Sequence, residues 1–276
     1  MDKQLKEKLS RIRHVALDMD GTIYLGNTLF PYTIPFLEKL GKLGISYSFL
    51  TNNPTKSLDD YVAKLLRLGV PCRHDQMYST ATAAIDYLKA HRPEIKRLFL
   101  LGTPSMISQF EEAGFVSTAD DPDDVPDMVL VAFDPTLVYG RLCRAAWWVS
   151  QGLPYIATNP DWVCPTDEKT ILVDCGSLTA CIEGATGRKP DLVIGKPNPD
   201  ILLCVAEKLG LQPDQLAMVG DRLYTDVKTA LNAGSSGILV LSGETSLETA
   251  LASDDTPTLI CRDIEEFGQY LEQAAE

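Results

Sequence analysis

Short apolar runs alternate with helix-patterned stretches along nearly the whole chain, and this alternation limits the fold more than any other feature. A strand-like run at 15–17 is followed by a helix expected over 31–42, with Phe36, Leu37, Leu40 and Leu43 on one face and Gly44 closing it. A strand at 45–50 leads to a helix opened by Ser57, with Asp60 three residues on in a capping-box pattern. A short strand near 76–79 completes a third step. Between 80 and 188 the alternation runs as a separate series, with helices at 81–90, 104–113, 136–151 and 177–185 and strands at 97–101, 128–133 and 155–157. Then come strand 192–194, helix 198–209, strand 216–219, helix 223–233, strand 238–241, and helices near 247–252 and 263–274. Such alternation implies α/β architecture with parallel sheets covered on both faces. The expectation is a doubly wound, Rossmann-like core made of 1–79 and 189–276, interrupted by an inserted α/β domain at 80–188.

Ligands of such folds bind beyond the carboxyl ends of the strands, so the strand ends carry the chemistry. Four stand out. The first strand ends in Asp18-Met19-Asp20-Gly21-Thr22, the second in Thr51-Asn52, the strand near Ile194 in Gly195-Lys196-Pro197, and the strand ending at Val219 in Gly220-Asp221 with Asp226 five residues on. Each fits a turn, a solvated lysine or a first-turn acid when taken alone. Together they bring several carboxylates, a hydroxyl and an ammonium to one sheet edge. Carboxylates suit Mg²⁺, which keeps waters and substrate phosphate oxygens as its other ligands. Thr51, the amides around Asn52 and Lys196 suit a phosphoryl group. Asn198-Pro199 predicts a helix start just after Lys196, which would set its ammonium beside an anion-favouring helix N-terminus. Phosphoryl transfer is the reaction this inventory fits.

Asp18 and Asp20 sit i, i+2, roughly 7 Å apart on an extended strand. One Mg²⁺, with oxygens at about 2.1 Å, does not easily hold both side chains. Asp18 is therefore read as a metal ligand and nucleophile. Asp20 offers its main-chain carbonyl to the metal and keeps its carboxyl for general acid/base work.

These motifs, Asp18-Met19-Asp20-Gly21-Thr22, Thr51-Asn52, Lys196 and Gly220-Asp221 with Asp226, resemble in order the four motifs of haloacid dehalogenase-like (HAD) phosphatases. The resemblance covers nearly the whole chain. It implies Mg²⁺ held by Asp18, the Asp20 carbonyl and Asp221, with Asp226 as a supporting acid, and an aspartyl-phosphate intermediate on Asp18. Thirty residues separate Asp20 from Thr51 and 144 separate Thr51 from Lys196, so the insert occupies the type-II cap position of that family. The stretches Asp18 onward (DMDGTIYL), LTNNP, TNPD and GKPNPD resemble the NagD-like, p-nitrophenylphosphatase-type subgroup. Its members include nucleotide, sugar-phosphate, phosphoglycolate and pyridoxal-phosphate phosphatases. That likeness adds Asn52 and Asn53 to substrate binding, gives the cap the choice of leaving group, and implies a homodimer through the caps. The loop 161–166 carries Cys164 where pyridoxal-phosphate enzymes have a histidine, and the chain has Asp174-Cys175-Gly176-Ser177 where relatives often have a Pro-Gly-x-Gly-type turn. Both departures weigh against pyridoxal phosphate. Asp134 reads as a turn or helix-start residue beside Pro135 and Thr136.

Composition sets outer bounds. A formal net charge of −13 with scattered acids disfavours a nucleic-acid groove, and no apolar run approaches a membrane span. The first 13 residues lack the apolar core of a secretory signal, and the seven cysteines show no CxxC spacing. A cytoplasmic protein with reduced thiols is expected. A receiver-like phospho-accepting module is the alternative from another class, but it carries its phosphorylated acid on a later strand and lacks such an insert. A phosphomutase or phosphonatase of the same superfamily usually has its cap between the first two motifs.

Overall fold

A computed structural model describes residues 1–164 and 169–276. Pro165 and Thr166 of the 161–166 loop lie outside the described residues. The chain forms two compact units: Met1–Thr51, Tyr61–Tyr78 and Lys196–Glu276 make the first, and Asn52–Asp60 with Ser79–Gly195 make the second.

The first unit is built on a six-stranded sheet in the order Leu259–Cys261, Ser236–Val240, Leu216–Gly220, His14–Leu17, Ser46–Thr51, Met77–Ser79. Strand His14–Leu17 lies parallel to both neighbours. Successive side chains of a strand point to opposite faces, yet every residue of His14–Leu17, Leu216–Gly220 and Ser236–Val240 is buried. Both faces are therefore covered, the condition for near-continuous apolar strands. Helices Lys3–Ser10 and Thr33–Lys42 pack on Ile264–Ala275, with Phe36 and Phe267 ring centroids 6.0 Å apart, while Asp200–Leu209 packs on Lys228–Ala233.

The second unit has a five-stranded parallel sheet in the order Leu192–Val193, Tyr155–Ala157, Met128–Val131, Arg97–Leu101, Val116–Ser117. Helices Tyr139–Ser150 and Cys175–Thr186 cover it, burying Phe99, Val129, Trp148, Tyr155 and Ile182 in one core. An antiparallel pair, Val163–Cys164 with Leu172–Val173, stands apart from that sheet.

The division between units falls later than the sequence pattern suggests. Leu192 pairs with Ile156, the Tyr155 N–H donates to Asp191 Oδ2 at 2.9 Å, and Arg188 donates to the Val149 and Leu153 carbonyls at 2.8 Å. Residues 189–195 thus belong with the second sheet, because strand pairing outweighs the helix break at Gly187. Asn52–Asp60 joins the same unit: Thr80 Oγ1 donates to the Asn52 carbonyl at 2.9 Å and Thr103 Oγ1 to the Thr55 carbonyl at 3.0 Å. The capping box is present, with the Asp60 N–H donating to Ser57 Oγ at 3.1 Å and the Ser57 N–H to Asp60 Oδ2 at 3.3 Å. Asp134 is a turn former, accepting from the Thr136 N–H at 2.8 Å and its hydroxyl at 2.6 Å. The helix expected at 198 begins at Asp200, whose N–H donates to Asn198 Oδ1 at 2.9 Å. Among the described residues no helix is long and apolar enough to cross a membrane, and no disulfide joins the cysteines.

His14, which opens the central strand, is only 2 % exposed and sits between Ser46 Oγ at 2.8 Å and Ser48 Oγ at 2.9 Å. Ser46 Oγ also donates to the Arg13 carbonyl at 3.2 Å, so the consistent assignment has Nδ1–H donating to Ser46 and Nε2 accepting from Ser48. Burial pushes its pKa from 6.5 down to about 4. Between those values the unfolded chain binds a proton that the folded chain refuses. The stability His14 permits is complete above pH 6.5 and is lost as pH falls toward 4, by up to about 3 kcal/mol. Urea unfolding at pH 7.5 and pH 4.5 checks this: His14→Asn, which cannot be protonated there, should lose less stability between the two than the parent chain. Equal losses would refute it.

Candidate active site

Three chain segments leave the first sheet side by side at its carboxyl edge. Leu17 pairs with Val219 on one side and with Phe49 on the other, and the Asp18 N–H donates to the Val219 carbonyl at 2.8 Å. Asp18, Gly220-Asp221 and Leu50-Thr51 are therefore neighbours by register, and Thr51 is buried where its strand ends.

Into this edge comes Lys196. Its Nζ donates to Asp18 Oδ1 and to Asp226 Oδ1, both at 2.6 Å. The Lys196 and Asp226 side chains are 3 % and 1 % exposed, whereas Asp18 keeps 16 %. Burial disfavours the ammonium, but the two carboxylates outweigh it and hold its pKa above the ordinary lysine value. Burial pushes Asp226 up to about 6 against the pull of Lys196. It pushes Asp221 up to about 6 as well, with the Asp226 charge adding to the effect. Asp18 is raised in the same direction, opposed by Lys196. The ammonium thus bridges the carboxylates of Asp18 and Asp226.

Asp226 reaches Lys196 because the chain after Arg222 does not start as an α-helix. Residues Leu223–Val227 form a π-turn, in which the Asp226 and Val227 N–H groups both donate to the Arg222 carbonyl at 3.1 and 3.2 Å. Such widened turns recur at functional sites. Here the Asp226 carboxylate folds back over Gly220, where any Cβ would overlap it, and accepts from the Arg222 N–H at 3.2 Å.

Asp221 is seated between two more glycines. A Cβ on Gly21, whose φ is +81°, or on Gly243 would overlap its carboxylate. Its Oδ2 accepts from the Glu244 N–H at 2.7 Å, while Oδ1 is buried with no hydrogen-bond partner among the described residues. A buried, unpaired carboxylate oxygen is costly. Carboxylate oxygens of Asp18, Asp221 and Asp226 can all lie within 4.8 Å of one another. An all-oxygen donor set with one orphaned buried atom fits a hard divalent cation.

The remaining expected residues are placed differently. Asp20 is exposed, forms a bridge with Tyr24, and contributes no side chain to the cluster of Asp18, Asp221 and Asp226. The side chains of Asn52 and Asn53 engage residues of the second unit. Asn52 Nδ2 donates to Asp161 Oδ2 at 2.8 Å, and Asn53 Oδ1 accepts from the Thr55 N–H at 2.9 Å. The sequence reading missed Arg222, Ser242, Gly243 and Glu244. Arg222 Nε donates to Glu244 Oε2 at 2.7 Å, and Ser242 Oγ donates to the Gly21 carbonyl at 2.7 Å. The signal was available: the strand expected at 238–241 also ends at this sheet edge, in Ser242-Gly243-Glu244.

Comparison with known proteins agrees with this geometry. A family model described as haloacid dehalogenase-like hydrolase matches residues 15–116, and a HAD-hydrolase-like model matches 193–267. An acid sugar phosphatase of Staphylococcus aureus is 31 % identical over 265 residues, 96 % of this chain and 100 % of that protein. Among solved structures, a 4-nitrophenylphosphatase from Thermotoga maritima superposes with a TM-score of 0.89 at 40 % identity, covering 95 % of this chain and 98 % of the other. NagD from Escherichia coli K-12 superposes at 0.83 with 31 % identity, covering 92 % and 98 %. The doubly wound sheet with acids and a lysine at its strand ends defines an enzyme of the α/β class. The chain belongs to the haloacid dehalogenase-like hydrolases, and its architecture is similar to that of NagD and of the 4-nitrophenylphosphatase.

Removing the ammonium would strand two buried carboxylates. Lys196→Met should cost on the order of 3–5 kcal/mol of unfolding free energy in EDTA. Adding Asp226→Asn to that variant should recover part of the loss. Urea unfolding of the two single variants and the double variant checks this, and strict additivity would refute the coupling.

Proposed function

We propose that the chain is a Mg²⁺-dependent phosphomonoesterase that hydrolyses a small phosphorylated metabolite through an aspartyl-phosphate on Asp18. The observation that carries this reading is the buried Asp18–Lys196–Asp226 set at the carboxyl edge of the sheet, in which Asp18 alone keeps appreciable exposure. The names of the relatives, a sugar phosphatase and a nitrophenylphosphatase, support the reaction class and leave the choice among nucleotide, sugar phosphate, phosphoglycolate or a similar leaving group open.

In this reading Asp18, Asp221 and the Asp20 carbonyl would hold the metal, which supplies positive charge to the phosphoryl oxygens. A carboxylate oxygen of Asp18 attacks phosphorus. The ester P–O bond breaks, and its electron pair leaves with the alcohol oxygen, which takes a proton from the Asp20 carboxyl. Asp20 then takes a proton from water, whose oxygen bonds to phosphorus while the P–O bond to Asp18 breaks. Inorganic phosphate leaves and the Asp18 carboxylate is restored. Lys196 orients Asp18 and, with Thr51, binds phosphoryl oxygens, and Asn52 and Asn53 assist in holding substrate. Asp226 keeps Lys196 in place. Exposed Asp20 suits proton exchange with solvent better than the buried acids do.

The second unit is assigned the choice of leaving group, a cap role supported by its position between Thr51 and Lys196. Its Trp162 and Ile171, 65 % and 72 % exposed, are apolar groups without a core to serve. A homodimer through this unit and a cytoplasmic location complete the reading.

Hydrolysis of p-nitrophenyl phosphate tests it. Turnover should require Mg²⁺, stop in EDTA, and fall on the order of 10⁴-fold or more in Asp18→Asn. Acid quenching should trap a phosphoenzyme in the parent chain and none in that variant. Asp20→Asn should slow turnover while still binding the metal. Metal-independent turnover surviving Asp18→Asn would overturn the assignment.

A further inference from the structure

We infer that Glu244 is a positioning residue for the divalent cation, acting on Asp221 through its main chain while Arg222 and Tyr224 hold its side chain. The inference rests on the metal reading of the preceding section. Glu244 itself lies outside the four motifs.

Two groups grip the Glu244 carboxylate. Arg222 Nε donates to Oε2 at 2.7 Å, and the Tyr224 hydroxyl donates to Oε1 at 3.0 Å. Both come from the turn that follows Asp221, so the grip ties the Ser242–Thr245 loop to the segment bearing the metal acid. The loop answers with its backbone. The Glu244 N–H donates to Asp221 Oδ2 at 2.7 Å, the Thr245 N–H donates to the Asp221 carbonyl at 3.2 Å, and Gly243 lies against the carboxylate. Ser242 Oγ at 2.7 Å from the Gly21 carbonyl ties the loop to the turn after Asp18 as well.

The consequence is a fixed carboxylate. With Oδ2 occupied by an amide and the plane walled by Gly21 and Gly243, Oδ1 is the oxygen left buried without a partner. A carboxylate aimed in advance loses less freedom when it binds a cation, and removing the groups that orient a metal ligand typically lowers affinity 10–100-fold.

Binding of Mn²⁺ alone, followed by electron paramagnetic resonance without substrate, tests the inference. Glu244→Ala should weaken Mn²⁺ binding about tenfold or more. Glu244→Gln, which can still accept from Arg222 and keeps its main-chain N–H, should recover most of the affinity. Tyr224→Phe, which removes one grip on an exposed side chain, should weaken binding by a smaller factor. Thermal unfolding in EDTA should leave the melting temperature of Tyr224→Phe and Glu244→Gln near that of the parent chain. Parent-level Mn²⁺ affinity in Glu244→Ala would overturn the inference while leaving the metal site standing. Loss of affinity in all three variants only in proportion to lost thermal stability would also overturn it. Absence of Mn²⁺ binding by the parent chain would overturn the metal reading and this inference with it.

Discussion

One buried ammonium organises the site. Lys196 stands between Asp18 and Asp226 at 2.6 Å from each, and neither carboxylate has enough water around it to be charged alone at low cost. The π-turn, the bare Cα of Gly220 and the approach of the chain before helix Asp200–Leu209 all serve that contact. The ammonium neutralises only part of the local negative charge, and Asp221 keeps one oxygen without a hydrogen-bond partner among the described residues. The site is built to be completed by another cation.

Sheet topology explains why these groups meet. Strand His14–Leu17 is central, so the residues that follow it have neighbours on both sides: the turn after Val219 on one and Thr51 on the other. A parallel sheet sends all of these turns to the same edge. Both faces of the strands behind that edge are buried, and the glycines at 21, 220 and 243 admit carboxylates where any side chain would collide. The catalytic reading therefore depends on backbone closeness as much as on the acids themselves.

Much of this was legible in residue order. The alternation of strands and helices predicts two parallel sheets, and the abrupt change from apolar to polar at residues 17–18, 50–51 and 219–221 points to the edge where Asp18, Thr51 and Asp221 stand. What stayed hidden were properties that period and spacing do not carry. Leu192–Val193 has the same apolar character whichever sheet it joins, and only its pairing with Tyr155–Ala157 decides the matter. The π-turn looks like an ordinary helix start in sequence, because the partner that its Asp226 reaches, Lys196, is 30 positions away. Arg222 and Glu244 read as solvated charges until the fold brings their side chains within 2.7 Å. The Asn52 amide likewise donates to Asp161, 109 positions away in sequence, a pairing that residue order does not announce.

The Asp18–Lys196 contact also has a consequence for how the molecule comes into being. The two residues are 178 positions apart, and the central strand gains its Leu216–Gly220 neighbour still later. During synthesis the contiguous stretch Ser79–Gly195 emerges whole, with its own sheet and core, while the first strand waits exposed for half its partners. The nascent chain thus carries a finished second unit before it carries any chemistry, and reactivity appears only as the ribosome reaches the last third of the message.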